Sequence, residues 1–173
     1  LAGRAGNKIV WMPTVDAANE TAGRPDGTKT KLPFWAKIQL ELAATGINPP
    51  PMTVLGDAGK LTAAARTCLE LIHKYDMILA TGHLGKREIF ALAKTAKEIG
   101  LRKVLVTHAE FPSQSLTAQE QLELADLGAK IEHCFTTMYT GKASWEGMFE
   151  ATRKVGPHRT VISTDLGQTI NPG

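Results

Sequence analysis

Residues 77 to 108 read MILATGHLGKREIFALAKTAKEIGLRKVLVTH, and this stretch decides the fold class. Its two ends, Met77 to Thr81 and Lys103 to Thr107, are apolar runs without polar alternation, as strands of a parallel sheet covered on both faces require. Between them Gly85 opens a helix in which Ile89, Leu92, Ala93 and Ala96 repeat at the 3.6-residue period until Gly100 stops it. Strand, helix and strand joined by loops of a few residues form a βα repeat with a right-handed crossover.

The same grammar extends in both directions. Lys8 to Thr14 (KIVWMPT), Lys130 to Phe135 (KIEHCF) and Thr160 to Thr164 (TVIST) supply three further strand candidates. Thr62 can N-cap a helix running to about Tyr75, and Thr117 with Glu120 makes a capping box ahead of Leu122, Leu124 and Ala125, with Gly128 as the stop. A fourth helix starts near Trp145 and ends at Gly156-Pro157. The chain therefore reads as one α/β domain spanning residues 1–173. Residues 15–61 break the rhythm with Gly, Pro, Asp and Thr, which marks an insertion after the first strand. Within it the pattern predicts one helix around Pro33 to Thr45 and a short hairpin over Met52 to Leu61, turning at Asp57-Ala58-Gly59.

Composition excludes several classes. The 173 residues are 43% hydrophobic and 21% charged, which suits an ordinary globular core and argues against disorder. The net charge of +3 is too small, and the basic residues too scattered, for a nucleic-acid surface. No apolar run is long enough to span a bilayer, and the N-terminal residues lack a signal-peptide core, so a cytoplasmic location without a membrane partner is the expectation. Cys68 and Cys134 form no CxxC pair and read as two buried thiols.

The chemistry lies in the histidines. His83, His108 and His133 recur every 25 residues at or beside the carboxyl ends of successive strands, and the next strand ends at Asp165. Parallel α/β folds build their sites at that end of the sheet. Three imidazoles and a carboxylate are ligands suited to zinc, with manganese or iron as alternatives. Any one of these histidines alone is as readily a hydrogen-bonded core residue. Their shared register favours chemistry for His83, His108 and Asp165, whereas His133 lies inside its strand and divides evenly between the two readings. His73, on a helix, and His158, which precedes its strand, read as structural.

Other signatures fail. The run Gly82 to Arg87 lacks Walker spacing, no GxGxxG follows a strand, and no Gly-x-Ser-x-Gly elbow occurs. Lys86 and Arg87 in a helix's first turn need an acid such as Glu88, or a bound anion, to offset the dipole; solvated surface accounts for them best.

The strand endings MILATGH, KVLVTH and VISTDLG resemble strands five, six and eight of the amidohydrolase superfamily of metal-dependent (β/α)8 barrels. The wording TGH, VTH, IEHC and STDLGQ is similar to a little-characterised branch of it. The resemblance implies that the chain is the C-terminal five βα units, strands 4 to 8, of a TIM barrel. It makes His83 and His108 metal ligands, Asp165 a ligand and proton acceptor, and His133 a catalytic residue behind the ligands or against substrate. It further implies a hydrolase acting on an amide, ester, lactone or related bond of a small molecule, with residues 15–61 as a lid. A lyase or decarboxylase on the same scaffold, and a non-catalytic small-molecule-binding domain, are the alternatives; a homo-oligomer is compatible with each. The chain departs from the superfamily in having no His-x-His, and in carrying its only first-strand lysine, Lys8, at the wrong end. Truncation before strand four accounts for the first departure. The second argues against two metals bridged by a carboxylated lysine. Five strands in place of eight would leave two sheet edges and an apolar inner face open.

Overall fold

A computed structural model of the chain describes residues 1–22 and 34–167. Five strands, β1 (Ile9–Trp11), β2 (Ile78–Ala80), β3 (Val104–Val106), β4 (Lys130–Cys134) and β5 (Thr160–Ser163), form one sheet in the order β1-β2-β3-β4-β5. Every pairing is parallel. The protein is thus an α/β protein with an all-parallel sheet, as the repeat predicted.

The helices sit where the caps placed them. In α3 (Ala63–Lys74), the Thr62 side chain accepts from Ala65 N at 3.1 Å. For α5 (Ala118–Asp126), Thr117 and Glu120 close the capping box in both directions, at 3.2 and 2.7 Å. Ser144 caps α7 (Trp145–Val155) through Gly147 N. At α4 (Lys86–Glu98) the cap residue is Gly85, which has no side chain, so only the Glu88 half of a box exists: Gly85 N donates to Glu88 Oε2 at 2.9 Å. That carboxylate answers the two cations of the first turn, and Lys86 meanwhile reaches Glu120 on α5.

The insertion contains α1 (Ala18–Ala22) and α2 (Phe34–Ala44). The expected hairpin is reduced to one antiparallel bridge between Leu55 and Leu61, while Met52 bridges Ala17 in parallel. Of the two helices only α2 was expected, and the start of that expected helix, at Pro33, lies outside the described residues. A short helix not foreseen, α6 (Phe135–Tyr139), follows β4 without a gap. Among the described residues no helix is long and apolar enough to cross a membrane.

Side-chain alternation divides the sheet sharply. Val10, Leu79, Val104, Val106 and Ile131 share one face by register, and all five join the core formed with Leu69 and Ile72 of α3, Ile89 and Leu92 of α4, and Leu124 of α5. Burying each of these large side chains contributes about 1.5–3 kcal/mol. The opposite row, Trp11, Ala80, Leu105, Glu132 and Val161, stays outside that core, with Trp11 51% and Val161 37% exposed at the two edges. Strands added in sequence with crossovers of one hand place every connecting helix on the same face, which explains the imbalance.

The cysteine expectation fails for one residue: Cys134 is buried, but Cys68 is exposed. The buried stripe of α3 runs through Ala65, Leu69 and Ile72, and Cys68 falls outside it.

Gly82, at φ +59°, lets the chain beyond β2 pass the end of β1. A Cβ there would collide with the carbonyl oxygen of Met12 and come within 2.6 Å of that of Pro13. Both obstacles are backbone. Gly82→Ala should therefore destabilise the protein by more than about 2 kcal/mol in denaturant titrations, and a loss under about 0.5 kcal/mol would show that this crossing is not constrained.

Glu120 gives a second test. Its partial burial opposes ionisation, but the hydrogen bonds from Lys86 and from the Thr117 backbone and hydroxyl outweigh this and hold its carboxyl below the ordinary value of 4.5. A lowered folded-state pKa means that the unfolded chain binds the proton more readily. The stabilisation is then complete above pH 4.5 and is lost as pH falls through the folded value. Lys86→Met should flatten the stability profile below that pH and cost less than about 1 kcal/mol at neutrality.

Candidate functional site

Two threonines carry the alignment of β2 and β3 past the end of their ladder. Thr107 N donates to Thr81 Oγ1 at 3.0 Å, and Gly82 N donates to Thr107 Oγ1 at 3.3 Å. Each threonine stands just ahead of a candidate histidine, so these bonds bring His83 and His108 side by side. Their ring centroids are 5.5 Å apart and the rings meet edge to face at 70°. Phe111 completes a triangle of rings, 5.5 Å from His83 and 5.9 Å from His108.

His83 is held on every side. Its N–H donates to Pro13 O, its carbonyl accepts from Asn19 Nδ2, and its Nδ1 stands 3.2 Å from Glu20 Oε2. Glu20 lies on α1, so the insertion delivers a carboxylate to the site. A contact at one ring nitrogen leaves Nε2 as the nitrogen open to a further partner.

His108 adopts φ +49°, in the left-handed region, and its N–H donates to Glu132 Oε2 at 3.3 Å. Its Nδ1 is buried without a hydrogen-bond partner among the described residues. Asp165, beyond β5, also adopts a left-handed φ, +52°. Non-glycine residues held in this region cluster at functional sites. Asp165 Oδ2 accepts from Thr136 Oγ1 of α6 at 3.4 Å.

His133 lies elsewhere. It occupies the helix-side row with Ile131 and is completely buried, its Nδ1 2.6 Å from Glu110 Oε1. That distance suits an ion pair, although the angle falls short of a hydrogen bond. Glu110 Oε1 also accepts from Gln121 Nε2 at 3.0 Å. The ring of His133 therefore faces a polar cluster between sheet and helices, while its neighbours Glu132 and Cys134 belong to the open row. His158 is exposed in the turn before β5, where its carbonyl accepts from Lys130 Nζ at the start of β4, the opposite end of the sheet. His73 is exposed on α3.

The carboxyl edge of the sheet thus brings His83 and His108 together and carries Asp165 on the same edge. Among the described residues, however, no group of three or more His, Cys, Asp or Glu side chains is close enough to share a metal ion. Two adjacent imidazoles fit a divalent ion such as zinc in kind, and are one protein ligand short of a catalytic site in number. Glu20, Glu132 and Phe111 belong to the site without having been picked out in the sequence. The only signal for the glutamates was position: Glu132 one residue before His133, and Glu20 just after the first strand.

Fold and edge together define a parallel α/β protein, wound in sequence order, with an imidazole pair at the carboxyl ends of adjacent strands. The chain belongs to DUF6282, a family of unknown function whose model matches residues 1–132, a span that includes β1 to β3 and both site histidines. No curated protein and no solved structure matches it.

The polar cluster behind His108 makes a stability prediction. Glu110→Ala removes the acceptor of Gln121 Nε2 and the carboxylate beside the buried His133 ring, and should cost about 1–3 kcal/mol in chemical denaturation. Glu110→Gln keeps an acceptor oxygen and should cost less. Equal losses in the two variants would indicate that side-chain volume, not the polar contact, matters at this position.

Proposed function

We propose that this chain forms five βα units of a (β/α)8 barrel and acts in a metal-dependent hydrolase of the amidohydrolase type. The observation that carries the reading is the His83–His108 pair, edge to face at the carboxyl ends of neighbouring parallel strands. Sequential strand order with one helix-covered face and one open row suits a sheet that closes on itself, since such closure covers the inner row with its own side chains and removes both edges. The doubly wound alternative reverses its strand order and covers both faces.

In this reading His83 and His108 hold a divalent ion, zinc before manganese or iron, and Asp165 is the third ligand on the same edge. When bound, the ion would lower the pKa of water and polarise a carbonyl or phosphoryl oxygen. The residues of the chain do the rest. Glu20 fixes the His83 ring through Nδ1, so that Nε2 is presented. Thr136 orients the Asp165 carboxylate, whose Oδ atoms accept the proton of the attacking water and return it to the leaving group. Phe111 walls the imidazole pair on one side and restricts water there. His133, buried against Glu110, supports the loop that carries His108, because Glu110 lies two residues beyond it. A lyase on the same residues would need the same proton acceptor.

Metal content and turnover separate these roles. In the intact protein His83→Asn should remove most bound zinc, measured by atomic emission after dialysis. His133→Asn should leave most of it bound while lowering turnover roughly 10–100-fold. Asp165→Asn should nearly abolish turnover with the fold intact, since an amide cannot accept the proton. Equal zinc content in wild type and His83→Asn would remove the pair from metal binding.

A further inference from the structure

Beside the imidazole pair stands one cation that the mechanism above does not use. Lys142 Nζ lies over the face of Phe111, 4.5 Å from its centroid. Phe111 is the ring that touches both His83 and His108, so the ammonium can be no farther from either imidazole than those two contacts laid end to end. The backbone fixes where this side chain starts. After α6 the chain turns through Gly141 at φ +70°, and Lys142 N donates to Thr137 O at 3.0 Å. Thr136, the residue before Thr137, binds Asp165. Through Thr136 and Thr137 the one short helix therefore anchors both the Asp165 carboxylate and the turn that carries Lys142.

What sets Lys142 apart is its place, over the ring that touches both imidazoles. Carboxylates surround the pair, with Glu20 at His83 and Glu132 at the His108 backbone, yet Lys142 makes no ion pair with any described carboxylate. The aromatic face holds the ammonium without neutralising it, because the attraction is to the ring quadrupole. Lys86, by comparison, is discharged against Glu120, and Lys103 against Asp76. A single unpaired ammonium is a point charge suited to a monoanion; a phosphate dianion is more often gripped by several donors or a guanidinium fork.

We propose that Lys142 is the residue that selects substrate charge: the site takes a small molecule bearing a carboxylate, separated by a few bonds from the group presented to His83 and His108. This rests on the reading of those histidines as the reacting site, but its test does not depend on metal or turnover. The probes are N-acetylglycine, an amide with a free carboxylate, and the neutral N-acetylglycinamide. Binding is read in the intact protein from the side-chain NMR signals of labelled His83 and His108.

N-acetylglycine should move both histidine signals at concentrations on the order of 10 mM and bind about tenfold more tightly than the neutral amide. Lys142→Gln should erase that preference and Lys142→Arg should keep most of it. The side chain is exposed, so neither variant should disturb folding. Equal affinity for the two probes in the wild type would overturn the proposal, as would a preference that survives in Lys142→Gln. So would histidine signals unmoved by N-acetylglycine, which includes the case of binding elsewhere, for instance at the exposed Arg87. Charge preference without zinc or hydrolysis would sink the hydrolase reading and leave this one standing; hydrolysis of neutral and anionic substrates alike would do the reverse.

Discussion

The carboxyl edge of this protein depends on how closely the chain leaving β2 passes the end of β1. Gly82 packs against the carbonyls of Met12 and Pro13, and the next residue, His83, donates its N–H to Pro13 O. The Gly82 carbonyl accepts from the buried Gln114, so the loop after β3 is tied to the same point. Only a residue without Cβ and with access to a left-handed φ can occupy this crossing. His83 is consequently placed by backbone bonds from two elements before its side chain makes any contact. Its orientation toward Glu20 and His108 follows from that anchoring.

The second constraint is the reciprocal threonine contact. Parallel strands have evenly spaced ladder bonds, which stop when either strand ends. Thr81 and Thr107 extend the register of β2 and β3 with side-chain oxygens, and both are buried. Without such bonds the two histidines would sit on independent loops. With them, one edge-to-face geometry is held by bonds that cost little, since each hydroxyl would otherwise be buried unpaired.

What could be read in the sequence follows from which signals are local. The helix starts at Thr62 and Thr117 depend on contacts within three residues, and each cap formed where its pattern lay. Four of the strand runs fell within one residue of their observed bounds, because continuous apolar character needs no partner to be visible, whereas the first ran three residues past the end of β1. The carboxyl-end placement of His83, His108 and Asp165, and the opposite placement of His158, followed from βα order alone. Facing was less legible. His133 has the same spacing as the other two histidines but sits inside β4, where pleating sends it to the helix side with Ile131. Cys68 looked buried because its neighbours are apolar, and helix phase decided otherwise. Glu20 and Lys142 come from a long insertion and from the turn after a five-residue helix. Neither segment has a periodicity that links it to β2 or β3, so their roles are visible only in three dimensions.

The distribution of charge at the edge then acquires a meaning that the near-neutral composition conceals. Carboxylates at Glu20 and Glu132 flank the two imidazoles and Asp165 lies on the same edge, an arrangement that would repel an anionic ligand if it stood alone. Glu20 is committed to His83 Nδ1, and Glu132 to the backbone of His108. Asp165, held by Thr136, is exposed in a strained backbone conformation that lifts it beyond the strand end. In the proposed site a ligand between Asp165 and the imidazoles would meet one carboxylate on the β5 side and the ammonium of Lys142 over Phe111. Opposite charges so placed would orient a polar ligand as well as bind it, because reversing the ligand would set its anion against Asp165 and away from Lys142.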